Sequence, residues 1–259
     1  MGVQSGAFAM HQAPPIDDTP RPLVIVGAGG HGQEVLWVAA RMSLELTYGT
    51  WNVLGFVDDR PSLRGRMIEG LPVLGSMQEF LFSHAGRTLY FHCAVGNNHQ
   101  RERLAKAMLS EGFQPATIID PMTVISPRAT IGAGSYVAPR AYIGPLAKIG
   151  QFSLINVASS IGHHCVMGDY TQACPGARVN GHCVIEKLAF LGSNSVVHPG
   201  RRVGANATVS ASSFVVRDVK PNTLVVGVPA MAMHHTPDFE NESTADDAPP
   251  PEPAPSTAE

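Results

Sequence analysis

Eleven histidines are spread through the 259 residues, and four of them, His163, His164, His182 and His198, fall within one short stretch. An imidazole titrates near neutral pH, so a histidine with an open side is suited to take a proton from an attacking amine or hydroxyl. His163-His164 is followed 18 residues later by Gly181-His182. If 18 residues close one turn of a coil, His163 lies beneath a glycine with little to crowd it, and His164 lies beneath His182. Stacked imidazoles are also metal ligands, so the same stretch invites a zinc reading. A second set of residues with chemistry stands near the start. Gly27, Gly29 and Gly32 spell GxGxxG between the apolar run at 23–27 and a helical run containing Val35, Leu36, Val38 and Ala39. Bare amides at the mouth of a helix can hold a diphosphate. Asp58 and Asp59 follow some 26 residues beyond Gly32, a loose but tolerable spacing for an acid at the nucleoside end. A glycine turn needed only for close packing is the rival reading. Ligand binding is preferred, because open α/β sheets hold ligands at such strand ends.

Both sets need a frame to position them. From Ile125, every sixth residue through Val215 is apolar, sixteen positions without a break. Two places before each, fifteen of sixteen residues are small, Arg201 being the exception. A helix repeats every 3.6 residues and would smear such a pattern around its whole surface, whereas six is a multiple of the strand period of two. Three short strands therefore close a triangular 18-residue turn, with one aliphatic per side filling the interior. A parallel β-helix of hexapeptide repeats is expected, with about five turns over residues 125–215.

Residues 1–20 lack periodicity and are expected to form a disordered lead. Residues 21–120 alternate strand and helix, with strands at 23–27, 52–58, 88–96 and 116–119 and a helix at 99–110. A small, Rossmann-like, mostly parallel sheet is expected there, as an α/β domain. Pro121 opens the coil domain, placed at 121–220, and 221–236 is expected to lie back on its last turn. Residues 237–259 carry seven acids, six prolines and no Lys or Arg, the composition of a disordered acidic tail. The net charge of −3 becomes +4 without that tail, which modestly favours anionic ligands on the rest. No basic block points to nucleic acid, and no run is long enough to span a bilayer. The first 20 residues lack the basic and apolar regions of a secretory leader, so a cytoplasmic protein is expected. The four cysteines form no CxxC; Cys165 and Cys183, one turn apart in the small slot, are expected to be reduced thiols.

The run Ser159-Ser160-Ile161-Gly162-His163-His164-Cys165-Val166-Met167-Gly168-Asp169, with Ile155-Asn156 before it and Pro175-Gly176-Ala177 after, resembles the bacterial nucleotide-sugar acetyltransferases of the sialic acid, bacillosamine and perosamine pathways. Gly29-Gly30-His31-Gly32, Gly55-Phe56-Val57-Asp58-Asp59, Val95-Gly96-Asn97-Asn98 and Gly227-Val228-Pro229-Ala230 match the same family in the same order, over roughly residues 22–233. The resemblance implies a left-handed coil, a homotrimer, and acetyl-CoA as co-substrate in the groove between neighbouring coils. It implies His163 as the base, Asn156 as a polar residue beside it, and Gly181 as the backbone donor to the oxyanion. A nucleotide-linked amino sugar would rest on Gly29, Gly30, His31, Asp58 and Asn97, its amine favoured over a hydroxyl as acceptor. His164, Gln172, Gly181, Val228 and Pro229 would line the acetyl-CoA groove.

Two positions depart from the family. His164 stands where Glu or Asp is usual, and Gln172 where His is frequent. Either another acid, such as Asp169, supports the base, or the base is weaker. Two rival readings follow: a trimeric sugar-nucleotide-binding protein that has lost its chemistry, and a zinc enzyme of the hexapeptide carbonic anhydrase type. The closely paired histidines of the latter, five apart, have no counterpart near His198, so no metal is expected. A dinucleotide redox enzyme would leave the coil unexplained.

Overall fold

The computed structural model describes residues 19–45 and 51–233, so residues 1–18 of the expected lead and the whole acidic tail lie outside the described residues. The α/β unit runs β1 (Arg21–Val26), α1 (Gly30–Glu45), β2 (Trp51–Val57), α2 (Met77–His84), β3 (Tyr90–Cys93), α3 (Asn98–Ser110) and β4 (Gln114–Pro115). The four strands of its main sheet are parallel, in the order β2–β1–β3–β4, and Met67–Ile68 and Leu71–Pro72 form a separate antiparallel pair. A central strand covered on both faces must be apolar at every position. In β1, Leu23 and Ile25 pack with Val35, Val38 and Met42 of α1, while Val24 and Val26 pack with Phe80 of α2 and Leu104 and Met108 of α3. Ser76 and Glu79 form a capping box at the start of α2. The Asn97 side chain caps α3 by accepting the Gln100 amide at 2.9 Å.

Two sequence expectations change here. The third strand is Tyr90–Cys93 rather than 88–96, because the chain leaves the sheet after Ala94 to form the loop Val95–Asn97. The strand expected at 116–119 shortens to Ile118–Ile119, which pairs with Tyr136–Val137, while the α/β sheet takes Gln114–Pro115 just ahead of it. The coil therefore begins ahead of Pro121. Alternation explains the join, since Ile118 is buried in the α/β core and Ile119 packs against the coil core.

From Ile118 the chain winds into a column with three sheets of parallel two-residue rungs. The first face carries Tyr136, Leu154, Gln172 and Phe190 in register, eighteen residues apart. The second carries Tyr142, Ser160, Arg178, Val196 and Phe214, and the third Lys148, Val166, Val184 and Arg202. Leu224–Val226 adds one more rung to the first face, and Met231–Ala232 folds back on it antiparallel. So the segment after 220 first extends the coil and only then lies back. Fourteen of the sixteen six-spaced aliphatics, from Val137 to Val215, are buried in one column, and Ile125 and Ile131 on the first turns are partly covered. Each buried aliphatic stabilises the column by about 1.5–3 kcal/mol relative to exposure.

The corners hold a third six-residue series. Every sixth residue from Gly134 to Ser212 has φ between 51° and 74°, including His164 at 59° and His182 at 62°. Residues one turn apart thus share one backbone conformation, and their side chains leave the coil in parallel. The small slot has its own role: Ser135, Ser153, Cys165 and Cys183 each donate to a backbone carbonyl fifteen residues ahead. Cys165 and Cys183 are free, buried thiols acting as small donors.

The α/β unit is docked on the first face. Tyr136, Ala138 and Leu154 belong to the core that holds α1 and β1, and Phe152 and Tyr170 to the one that holds α3. At that junction Arg101 is fully buried. Its guanidinium donates to the carbonyls of Phe152, Val95, Tyr170 and Thr171 and to Asn98 Oδ1. Burial pulls its pKa down to about 10, so it remains a cation held by carbonyl dipoles.

Candidate active site

The corner between the second and third faces positions the histidines. Ile161 ends a rung, Gly162 begins the turn, and His163 and His164 project outward, both exposed. The ring of His163 covers Gly181: a Cβ there would lie 2.5 Å from both Cε1 and Nε2 of the imidazole. Only glycine leaves room for the ring at that place. The His182 amide bonds the His163 carbonyl at 2.9 Å, while the Gly181 amide has no acceptor among the described residues. An imidazole therefore packs on the residue that carries a bare N–H, and acyl transfer requires both a base and an oxyanion donor.

His163 Nδ1 lies 3.1 Å from His164 Nδ1. With His163 donating and His164 accepting, His163 Nε2 is left with the lone pair. Desolvation and the neighbouring His182, His163 and Arg128 push the His164 pKa below the ordinary histidine value, which favours the neutral form that can accept. The His164 ring stacks on His182, centroids 4.7 Å apart and planes 13° from parallel. One ligand nitrogen from each of His163, His164 and His182 lies within 4.8 Å of the other two.

Several expected companions stand elsewhere. Asp169 occupies the next corner, where its Oδ1 accepts the Gln151 amide at 2.8 Å, so it does not support His163. Asn156 precedes the second face, one corner before His163, with its amide bonded to the Ala173 carbonyl. Gln172 is buried on the first face, its side-chain amide 3.5 Å from Cys174 Sγ. In one chain, neither Asn156 nor Gln172 touches the histidine corner. Val228 and Pro229 lie at the top of the second face, where Phe214 is bonded on either side by Gly227 and Ala230. His198 lies beneath, its ring 6.1 Å from that of Phe214.

The glycine turn builds a separate cleft of about 580 Å³ at the carboxyl ends of β1, β2 and β3, lined by Gly27, Gly29, His31, Asp58, Arg60, Asn97 and Gln100 among others. Gly30 opens α1 beside it. The outer glycines of the motif answer to packing, since a Cβ on Gly27 would meet the Ala94 carbonyl oxygen at 2.7 Å and one on Gly32 would collide with the Gly27 carbonyl. Asp58 is occupied: its Oδ2 accepts the Ala28 amide at 2.8 Å, and Arg60 clasps both oxygens. Burial opposes its ionisation, but the hydrogen bonds from Arg60 and Ala28 outweigh it and hold the carboxyl below its ordinary range. Asp58 thus braces the turn and orients Arg60 at the cleft. His31 packs edge-on against Tyr136 of the coil at 4.9 Å, and its Nδ1 is 3.2 Å from Glu34. Arg60, Gln100 and Met77 were not read from the sequence, because nothing in their spacing sets them apart. Arg101 left a signal, a charged residue on the apolar face that Leu104, Ala105 and Met108 define.

The known proteins similar to this chain agree with both halves. The PglD N-terminal domain family matches residues 22–108. GDP-perosamine N-acetyltransferase of Escherichia coli O157:H7 is 33% identical over 218 residues, covering 82% of this chain and 96% of that protein. A mutant of perosamine N-acetyltransferase from Caulobacter crescentus, in complex with CoA and GDP-perosamine, superposes with a TM-score of 0.76 at 28% identity, over 83% of this chain and 97% of that one. The acetyltransferase domain of PglB from Neisseria gonorrhoeae FA1090, in complex with acetyl coenzyme A, gives 0.74 at 27% identity, over 83% and 100%. The coil described above is a left-handed parallel β-helix. Among the described residues no helix is long and apolar enough to cross a membrane.

Proposed function

Because the chain belongs to the family of bacterial nucleotide-sugar N-acetyltransferases, we propose that it moves the acetyl group of acetyl-CoA to the amine of a nucleotide-linked amino sugar, with His163 as general base. Acetyl-CoA-dependent sugar N-acetylation follows from the family; the roles of individual residues are our reading. The observation that carries it is the His163 ring filling the place of a Gly181 side chain, against a residue whose amide has no acceptor among the described residues.

His163 Nε2 takes a proton as the sugar nitrogen attacks the thioester carbonyl and the C–N bond forms. The Gly181 N–H holds the oxyanion. As the tetrahedral centre collapses, the C–S bond breaks and the His163 imidazolium returns its proton to the departing sulfur, giving free CoA thiol. His164 orients His163 through the Nδ1 contact, in the place where an acid is usual. The exposed path from the histidine corner past His198 to Val228 and Pro229 is where acetyl-CoA lies. The fit is chemical: apolar Val196, Phe214 and Val228 border it, and Arg178 offers a cation to phosphate.

The sugar nucleotide binds the cleft at Gly29, His31, Arg60 and Asn97, with amides at the start of α1 facing its diphosphate. This cleft belongs to the α/β unit on the first face, and His163 stands at the corner across the coil. A second copy is therefore needed to bring a cleft to a histidine corner. We take the assembly to be a homotrimer, and the exposed Val124 and Tyr142 on the second face, with Met122 in the turn before it, give it an apolar surface to close. Incubation with acetyl-CoA and a panel of amino-sugar nucleotides, GDP-perosamine first, should release CoA thiol with at least one of them. Binding of the sugar nucleotide without thiol release across the panel would instead identify a protein that has lost its chemistry.

A further inference from the structure

The histidine corner holds one imidazole more than acetyl transfer uses. His182 has no part in the mechanism above, yet its ring lies 5.0 Å from that of His163 and stacks on that of His164. Two nitrogens bound to a tetrahedral Zn²⁺ at about 2.0–2.1 Å stand roughly 3.3 Å apart. The Nδ1 atoms of His163 and His164, at 3.1 Å, are already near that separation. The nearest nitrogen of His182 is within 4.8 Å of each, and all three side chains are exposed, so a turn of the ring brings the third ligand in. The stacking that aligns His164 with His182 is fixed by the coil, because both occupy the same corner position in successive turns. No carboxylate hydrogen-bonds to any of the three among the described residues. A purely imidazole set suits Zn²⁺, Cu²⁺ or Ni²⁺ and is wrong for Mg²⁺ or Ca²⁺.

We propose that His163, His164 and His182 form a binding site for a divalent transition metal, with Zn²⁺ as the reference ion, and that its occupation switches acetyl transfer off. A neutral imidazole that ligates a metal through Nδ1 carries its proton on Nε2. Metal on His163 Nδ1 therefore removes the lone pair that the base needs and breaks the contact to His164. The inhibitory half rests on His163 being the base; the binding half does not.

The full chain without an affinity tag, stripped with a chelator, is titrated with Zn²⁺ by calorimetry and with Co²⁺ by visible absorption. One ion per chain is expected, with the intense bands of four-coordinate Co²⁺. His182→Asn and His163→Ala should each weaken binding at least tenfold, with melting temperatures showing that both variants fold. Zn²⁺ should stop thiol release, a chelator should restore it, and the inhibition midpoint of His182→Asn should shift by the same factor as its affinity. No binding, or binding indifferent to both substitutions, overturns the site. Histidine-dependent binding that leaves turnover untouched overturns the switch while the site stands. Histidine-dependent binding to a chain with no acetyl transfer at all upholds the site and fails the acetyltransferase reading instead.

Discussion

Gly181→Ala puts the geometry of the corner to a quantitative test. Gly181 is not at positive φ, so alanine adds only a methyl group without backbone strain. That methyl would sit 2.5 Å from Cε1 and Nε2 of His163, where ordinary contact begins at 3.4 Å. Because the ring is exposed and ends a flexible side chain, it can yield by about 1 Å, and the fold should keep its stability to within about 1 kcal/mol. A displacement of 1 Å at the reacting group costs about 10²-fold in rate, or about 2.7 kcal/mol of transition-state stabilisation. The methyl also stands beside the amide assigned to the oxyanion. The assay is thiol release at saturating acetyl-CoA and sugar nucleotide, beside thermal melting of the same samples. A variant that melts like the parent and turns over about a hundredfold more slowly fits the reasoning. Turnover within threefold of the parent would show that neither the ring's position nor the amide beside it matters to the reaction.

Three further outcomes are expected. Arg101→Met leaves the carbonyls of Phe152, Val95, Tyr170 and Thr171 without their buried donor, costing about 3–5 kcal/mol. At about 2–4 °C per kcal/mol that is roughly 10 °C in melting temperature, and sugar-nucleotide affinity should fall with it because Val95 and Gly96 wall the cleft. Burial lowers the His92 pKa to about 3, so His92 stays neutral in the fold, whereas the unfolded chain takes up a proton below about pH 6.5. Stability should thus be unaffected by His92 above that pH and fall by about 1.4 kcal/mol per unit between about pH 6.5 and 3; His92→Leu should remove that component of the slope in denaturant titrations. His164→Glu restores a carboxylate beside His163 to hold the cation formed in the reaction, and turnover at pH 8 should rise several-fold, an unchanged or lower rate counting against His164 as the orienting partner.

The coil was legible because its period of six is impossible for a helix and natural for a strand that bends every third pair. Its corner series was not legible, because the left-handed position accepts residues as different as Arg140, Phe152, His164 and Asn194 in this chain. That hidden series is what stacks His164 on His182. Closeness in sequence misled at Asp169, which lies only six residues from His163 but turns the next corner and bonds Gln151. The vertical relation of His163 to Gly181, eighteen apart, was legible, since it depends only on the turn length. In the α/β unit the alternation of strand and helix was plain, but the short strand Gln114–Pro115 was hidden, because a Gln-Pro pair carries no apolar alternation. Asp58 was found as a cleft residue by its distance from the glycine motif. Its clasp by Arg60 depends on a turn that no spacing announces.

The central claim is that one imidazole on the coil moves the proton. His163→Ala removes that ring from an exposed corner without opening the core, so the chain should fold, assemble and bind sugar nucleotide as before. Thiol release from acetyl-CoA, measured with a sugar nucleotide that the unaltered chain acetylates, should drop to the background of the enzyme-free reaction. Near-normal turnover in a well-folded His163→Ala protein would take the base away from this corner and contradict the account.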